Sequence, residues 1–259
     1  MEWQLNLFKK SLKKKLKLKN ILKFSGDFTD LKCLEVGCTT GVLSYFLSER
    51  GGKWIHTDKE RSLLIETQRL VKNPLVQIDE RYLPFREKTF DLIFVPDFLE
   101  HTIYDKELIK EIKRIIKEKG RSIITVPLKK KFSIINLLKR MFGLKDEIYG
   151  HVRAGYSLKE LKKILQDYGI KVERYSTYSK FFTEFIELIL NFFYVRFGTK
   201  KISTHKGKIS PLSSSELRFN KTYFIYKFIY PFFKAFSFLD YFVFFTRGYV
   251  IVIEANLSN

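Results

Sequence analysis

Cysteine is nearly absent from this chain, which contains only Cys33 and Cys38 among 259 residues. Neither their number nor their spacing suits a disulfide framework or a zinc site, so we expect a reducing compartment. A chain of this length buries about three quarters of its unfolded surface and needs no such crosslinks. It also lacks an N-terminal signal pattern and any uncharged apolar run of about 18 residues, so we expect no conventional transmembrane helix.

Acidic residues are in short supply, since 28 Asp and Glu face 48 Lys and Arg, and the formal net charge is +20. A charge of this sign favours nucleic acid or an anionic membrane as partner. A third interpretation needs no partner, because an AT-rich genome produces a composition rich in Lys, Ile, Phe and Asn. Composition alone leaves these three interpretations open.

The first 30 residues predict a basic amphipathic helix. Eight lysines lie between Lys9 and Lys23, and apolar residues recur at helical spacing at positions 5, 8, 12 and 16. Such a helix is suited to lie on a membrane or on nucleic acid, or to cover a substrate site as a lid.

Residues 31–179 alternate short apolar segments with amphipathic ones, which predicts parallel strands joined by helices. The predicted strands are LKCLEV, WIHTD, LVQI, FDLIFV, RSIITVP and KVERYSTYS, and residues 247–259 supply a seventh in GYVIVIEA. A helix is predicted from Asp105 to a stop at Gly120, and another from Ser157 to Gly169 with a capping box. We therefore expect an α/β protein with a Rossmann-like, seven-stranded, mostly parallel sheet and helices on both faces.

Residues 180–246 form an aromatic-rich insertion before the last strand, with 16 of the 26 phenylalanines of the chain. Two amphipathic aromatic stretches flank a basic linker at residues 199–221. Their apolar faces need a partner. The protein core, a homodimer interface and a membrane interface all remain open, and the membrane is favoured because basic residues accompany the aromatic ones.

The turn after the first strand reads LEVGCTTG and resembles the first motif of class I S-adenosylmethionine-dependent methyltransferases, of the type 11 and ubiquinone-biosynthesis O-methyltransferase kind. Glycine suits this turn because it tolerates positive φ and close approach of a ligand. The resemblance implies that Glu35 lies near the methionine end of S-adenosylmethionine and that Gly37 and Gly41 form the floor beneath it. Thr39 stands where a second glycine often occurs.

Two further segments extend the resemblance over about residues 31–178. Asp58 ends the second strand, where an acid can accept hydrogen bonds from both ribose hydroxyls. The stretch DERYLPFREKTFDLIF matches the family pattern most specifically and implies that Asp79, with Glu80 beside it, lies near the adenine amino group.

Candidate catalytic residues follow the fourth strand in PDFLEHT, because ligands of open α/β sheets bind at the carboxyl ends of strands. His101 and Glu100 are candidates for a base or a substrate contact. Asp97, Glu100 and His101 also resemble the metal-binding Glu-x-x-Glu-His of ubiquinone O-methyltransferases, which implies a divalent ion such as Mg²⁺. His151, Arg153 and Tyr156 are predicted over the mouth of the site. A structural role for both segments stays open.

The sequence thus predicts a cytoplasmic methyltransferase, peripheral at the inner face of the membrane, that uses S-adenosylmethionine and methylates, by preference on oxygen, a small-molecule or lipid-linked acceptor. The first alternative is a soluble small-molecule methyltransferase in which the insertion forms a homodimer interface and lid. An RNA-binding or RNA-modifying protein is disfavoured, because PDFLEH replaces the Asn/Asp-Pro-Pro-aromatic signature of RNA-modifying relatives.

Overall fold

The computed structural model describes residues 2–130, 132–144, 146–197 and 221–258. The linker predicted at residues 199–221 lies outside the described residues apart from its last position.

The described residues form one seven-stranded sheet in the order β3-β2-β1-β4-β5-β7-β6. Strand β7 runs antiparallel to both of its neighbours, and the other neighbouring strands pair in parallel. This arrangement confirms the Rossmann-like fold class. The strands are β1 Lys32–Val36, β2 Lys53–Asp58, β3 Leu75–Gln77, β4 Phe90–Pro96, β5 Ile116–Pro127, β6 Ile170–Tyr178 and β7 Val250–Leu257.

Helices cover both faces of this sheet, as the apolar pattern predicts. One face packs against Leu108 and Ile112 and against Leu161, whereas the other packs against Ile21 and Leu47. The α-helices are α1 Trp3–Lys10, α2 Leu12–Ser25, α3 Val42–Ser48, α4 Arg61–Gln68, α5 Asp105–Ile115, α6 Ile134–Met141, α7 Leu158–Asp167, α8 Phe181–Phe197 and α9 Lys221–Ser237, with 3₁₀ turns at Leu99–His101, Asp146–Tyr149 and Phe238–Tyr241.

Two helix boundaries differ from the sequence prediction. The N-terminal helix breaks at Ser11, which is extended and whose side chain caps α2 by accepting a hydrogen bond from Lys14 N at 3.3 Å. Helix α5 ends at Ile115 rather than at Gly120, because Ile116 pairs with Phe90 and already belongs to β5. In contrast, the capping box of α7 forms as predicted between Ser157 and Glu160.

The aromatic insertion has one helix that packs against the rest of the protein and another part that is largely exposed. Helix α8 is packed inside, since Ile186 meets Leu12 of α2 and Leu188 meets Ile135 of α6 in two small cores. Much of α9 and of the turn after it is exposed. No helix among the described residues combines the length and the apolar character needed to cross a bilayer. Exposed aromatic residues here are Phe228, Phe232, Phe236, Phe238, Tyr241, Phe242, Phe244 and Phe245.

Candidate active site

A cavity of about 840 Å³ opens where the parallel strands β1, β4 and β5 end. Its wall on the strand side includes Thr39 and Thr40, Pro96 and Pro127. Helices α2, α6 and α8 line the rest with Lys13, Lys139 and Glu184, among others. Helix α2 and the insertion therefore both contribute to the wall of one site.

The glycine-rich turn after β1 holds three left-handed residues, with φ of +90° at Gly37, +54° at Thr39 and +78° at Gly41. A Cβ at Gly37 would lie 2.4 Å from Cδ2 of Phe98, and one at Gly41 would lie 2.8 Å from Cα of Thr67. Both glycines are thus required by conformation and by space. Thr39 adopts the left-handed conformation at the position where relatives often place glycine.

Asp58 is buried and fastens this turn to the end of β2. Its Oδ2 accepts a hydrogen bond from Thr39 N at 3.0 Å, and its Oδ1 accepts one from Glu60 N at 3.1 Å. Gly37 N also donates to Thr57 O at 2.8 Å. The structure therefore brings the predicted residues Gly37 and Asp58 into one connected group. Their roles in cofactor binding stay predictions.

Glu35 lies fully buried beneath the same turn. Its Oε2 accepts a hydrogen bond from Ser44 Oγ at 2.6 Å and lies 2.8 Å from Nδ1 of His56. Its Oε1 is buried without a hydrogen-bond partner among the described residues. An unsatisfied buried carboxylate oxygen is costly, and it suits a ligand that carries a cationic or hydrogen-bond-donating group. The role of Glu35 near the methionine end of S-adenosylmethionine stays a prediction.

The two acids of the predicted adenine segment point in different directions. Asp79 is half-exposed and makes a bidentate ion pair with Arg81, whose hydrogen bonds lower the pKa of Asp79 to about 2. Glu80 instead accepts a hydrogen bond from Thr102 Oγ1 at 2.8 Å and pairs with Lys59 at 3.1 Å. Glu80 therefore connects the loop after β3 to the segment that carries His101.

Glu100, His101 and His151 form a compact cluster in the wall of the cavity, with potential ligand atoms within 4.8 Å of one another. Nδ1 of His101 donates to the carbonyl oxygen of Gly150 at 2.9 Å. In a neutral His101 ring the other nitrogen, Nε2, is then the acceptor. Burial lowers the pKa of His151 to about 3, so that ring is neutral at physiological pH. The predicted catalytic residues are thus brought together.

Asp97 does not join this cluster, although it was predicted to share a metal ion with Glu100 and His101. Its carboxylate pairs with Lys17 at 2.5 Å and accepts a hydrogen bond from Thr125 Oγ1 at 2.6 Å. Burial opposes its ionisation, but Lys17 lowers the pKa of Asp97 to about 2. The remaining set of one carboxylate and two imidazoles does not suit Mg²⁺, which prefers oxygen ligands. The predicted magnesium site is therefore not matched by these residues.

The loop that contains His151 serves the fold as well as the site. Arg153 forms an ion pair with Asp105 and also donates to Thr102 O at 3.1 Å. Tyr156 is buried and donates to Oδ2 of Asp105 at 2.7 Å. Arg153 and Tyr156 thus fasten this loop to the start of α5, whereas we predicted them over the mouth of the site.

Sequence reasoning missed the charged residues on the outer side of the cavity. Lys13 and Lys17 were included only in a general lysine-rich helix, and Lys139 and Glu184 were not singled out. No local motif marks them, because α2, α6 and α8 supply them from distant parts of the chain.

The seven-stranded sheet and the glycine-rich turn after β1 give this protein a Rossmann-like α/β fold. Residues 34–124 match the family model described as a methyltransferase domain. The resemblance to class I S-adenosylmethionine-dependent methyltransferases is therefore confirmed for this segment.

Proteins that are similar to this chain in sequence or in structure are also known. An uncharacterized protein from Methanocaldococcus jannaschii is 32% identical over 106 residues, which cover 41% of this chain and only 45% of that relative. A candidate methyltransferase from Bacillus halodurans C-125 superposes with a TM-score of 0.60 at 14% identity, over 93% of this chain and 99% of its own. An S-adenosylmethionine-dependent methyltransferase from Mesorhizobium loti gives 0.56 at 11% identity, over 92% and 95%. At these identities the solved structures show a shared fold.

Proposed function

We propose that this protein transfers the methyl group of S-adenosylmethionine to an oxygen atom of an amphipathic acceptor at the cytoplasmic face of an anionic membrane. The observation that carries the first part is the group of Gly37, Thr39, Gly41 and Asp58. It combines a turn that requires glycine at two left-handed positions with a buried acid at the end of β2. Such an acid is suited to accept hydrogen bonds from the ribose hydroxyls of the cofactor.

The cofactor supplies a carbon bonded to a cationic sulfur, which is already activated for displacement. The protein must align the acceptor, and alignment can lower the barrier by roughly 7–11 kcal/mol. An oxygen nucleophile must also lose a proton. His101 is suited to accept it at Nε2, because its Nδ1–H is held by Gly150 O. The ring of neutral His151 lies edge to face with that of His101 at 4.8 Å, and Oε1 of buried Glu100 lies 4.0 Å from Nε2 of His101, so both neighbours restrict the orientation of this ring.

Cofactor binding is tested by calorimetry with S-adenosylhomocysteine. Asp58→Asn replaces one acceptor oxygen with an amide donor and removes the charge. We expect the variant to lose a charged hydrogen bond worth about 1.5–3 kcal/mol, which weakens binding by about 10- to 150-fold. Asp167→Asn, at the end of α7, is the matched control and should bind like the wild type. Equal affinity in a folded Asp58→Asn protein would contradict the proposed cofactor site.

Proton transfer is tested with tritiated S-adenosylmethionine and a total lipid extract as the source of acceptor. His101→Gln keeps a polar side chain but cannot serve as a base near neutral pH. We expect incorporation of label to fall by about 10²- to 10⁴-fold while the affinity for S-adenosylhomocysteine stays unchanged. Unaltered incorporation would assign His101 a structural role.

Membrane association is supported by aromatic side chains that are exposed on the surface of the described part of the protein. Phe242, Phe244 and Phe245 are each at least 75% exposed. Helix α6 adds an exposed apolar stripe at helical spacing, made of Ile134, Leu137 and Met141. Exposed apolar patches of this extent mark protein or membrane contacts. A membrane is favoured because lysine-rich α2 accompanies them and because aromatic rings are stable at the headgroup boundary.

Flotation with vesicles of phosphatidylcholine and phosphatidylglycerol tests this part. The triple variant Phe242→Ser, Phe244→Ser, Phe245→Ser should lose most of its flotation, since each exposed ring no longer enters the interface. Ile65→Ser, which alters an exposed apolar residue on α4, is the control. Sedimentation measures oligomeric state in parallel. A triple variant that floats like the wild type, or that instead turns a dimer into a monomer, would favour the soluble enzyme with a dimer interface.

A further inference from the structure

The cavity carries more positive than negative side chains on its outer wall, away from the glycine-rich turn. Seven basic residues line the cavity as a whole, against five acidic ones. Lys17 and Asp97 neutralise each other at 2.5 Å. The excess therefore belongs to the part of the wall supplied by α2, α6 and the segment after β5.

Two of these ammonium groups lie close to one buried carboxylate, and a third is influenced by its charge. Glu184 is only 1% exposed, its Oε1 pairs with Lys13 at 2.7 Å, and its Oε2 lies 3.7 Å from Lys139. The charge of Glu184 also raises the pKa of Lys130, although burial lowers it more. The Nζ of Lys130 donates a hydrogen bond to Arg247 O and lies 3.7 Å from the ring centroid of Tyr249. Glu187 acts on Lys13 and Lys139 as well, so two carboxylates face three cations in a partly desolvated place.

Burial lowers the pKa of both Lys130 and Lys139, so their charged forms are destabilised in the protein without an anion. For Lys13 burial acts in the same sense, but Glu184 and Glu187 outweigh it and raise its pKa. Two further acids raise the pKa of Lys139, namely Asp146 on the neighbouring 3₁₀ turn and Glu187 on α8. Lys13 thus has the closer contact with Glu184, and Lys130 and Lys139 are the cations that a bound anion would stabilise most.

The remaining neighbours suit an anion with several oxygen atoms. Arg140 follows Lys139 in the wall, and among the described residues its guanidinium makes no ion pair. Asn136 lies beside Lys130, to whose carbonyl oxygen it donates at 3.3 Å. Arginine and lysine together favour phosphate through charge-assisted hydrogen bonds.

We propose that the methyl acceptor carries a phosphate group, and that Lys130, Lys139 and Arg140 bind this group at the outer wall while the reacting atom faces the histidine cluster. This inference rests on the proposed function for its acceptor, but the phosphate site itself can be measured without methyl transfer. Two sources share this chemistry, a phospholipid headgroup and a soluble phosphorylated compound.

The test is calorimetric titration of the full chain with inorganic phosphate at low ionic strength. We expect binding by the wild type and a loss of at least about tenfold in Lys130→Gln, Lys139→Gln, because charge-assisted contacts are removed. Lys130→Arg, Lys139→Arg keeps the charges and should restore binding to within about threefold. Lys163→Gln on the exposed side of α7 is the matched control. Titration with S-adenosylhomocysteine should give the same affinity in all four proteins.

Absence of phosphate binding in the wild type, or equal binding in the glutamine variant, would overturn the phosphate site even where S-adenosylhomocysteine binds. Failure of S-adenosylhomocysteine alone would instead count against the proposed function. Flotation with phosphatidylglycerol in phosphatidylcholine vesicles then distinguishes the sources. Weaker flotation of the glutamine variant identifies the lipid headgroup, and unchanged flotation together with lost phosphate binding identifies a soluble phosphorylated acceptor.

Discussion

Replacing Gly41 with alanine tests whether the turn after β1 depends on space as well as on backbone conformation. Gly41 has φ of +78°, and an added Cβ would lie 2.8 Å from Cα of Thr67, which is a backbone atom of α4. Gly51 provides a matched control, since its φ is +91° and an added Cβ would meet nothing within 4 Å. The two alanine variants share the conformational strain and differ in the clash.

The magnitudes follow from these two contributions. A left-handed alanine costs about 1–2 kcal/mol, and this is all that we expect for Gly51→Ala. Gly41→Ala adds an overpacking cost of about 1–3 kcal/mol, because α4 must move away from the turn. The expected loss in the free energy of unfolding is therefore about 2–5 kcal/mol for Gly41→Ala, and about 2 kcal/mol more than for the control.

Urea denaturation followed by circular dichroism measures both values. With a slope of about 1–3 kcal/mol per molar, a 2 kcal/mol difference separates the midpoints by roughly 1 M. Binding of S-adenosylhomocysteine should also weaken in Gly41→Ala and remain normal in Gly51→Ala. Equal losses of stability in the two variants would refute the packing argument, because strain alone would then account for both.

Two further substitutions test strain and charge in the same region. Thr39→Gly should raise the free energy of unfolding by about 0.5–1 kcal/mol, because the strain released at φ +54° exceeds the entropic cost of glycine. The control Thr40→Gly should lower the free energy of unfolding. Urea denaturation of both variants measures the two changes. Asp97→Asn should lower the free energy of unfolding at neutral pH by about 1 kcal/mol. The depression of the Asp97 pKa from 3.8 to about 2 corresponds to about 2.4 kcal/mol. We expect a smaller effect than this because the side chain is partly exposed to solvent. A depressed carboxyl pKa stabilises above the unfolded value, so the difference from the wild type should shrink as pH falls from about 4 to about 2; a difference independent of pH would contradict the role of Lys17.

The sheet was predictable because its signals are local. Each strand is a short apolar run that ends in a turn or at a helix cap, and the alternation with amphipathic segments determines parallel pairing. The glycine-rich turn and Asp58 were likewise identified from neighbouring residues, and the structure connects them through Thr39 N. Local chemistry is enough where the residues of a site follow two adjacent strands.

The structure departs from local sequence patterns where a distant partner decides the local arrangement. Gly120 is a common helix stop, yet it lies within β5, where the pairing with β4 shifts register between Phe90 and Leu92. Asp97 matched a ligand pattern by its spacing to Glu100, but Lys17 from α2 holds its carboxylate instead. Neither partner can be recognised from the sequence next to the residue concerned.

The lysine-rich N-terminus shows the same limit at the level of function. A run of lysines at helical spacing predicts a solvated helix face. On that basis the net charge of +20 could be explained by nucleic-acid binding, by membrane binding or by genome composition alone. The structure turns Lys13 and Lys17 inward, to Glu184 and Asp97 in the wall of the cavity. These two lysines contribute to the site and not to a surface patch, because carboxylates from elsewhere in the chain offset their desolvation. Part of the charge of this helix is therefore compensated inside the protein, and its net sign alone could not have indicated that.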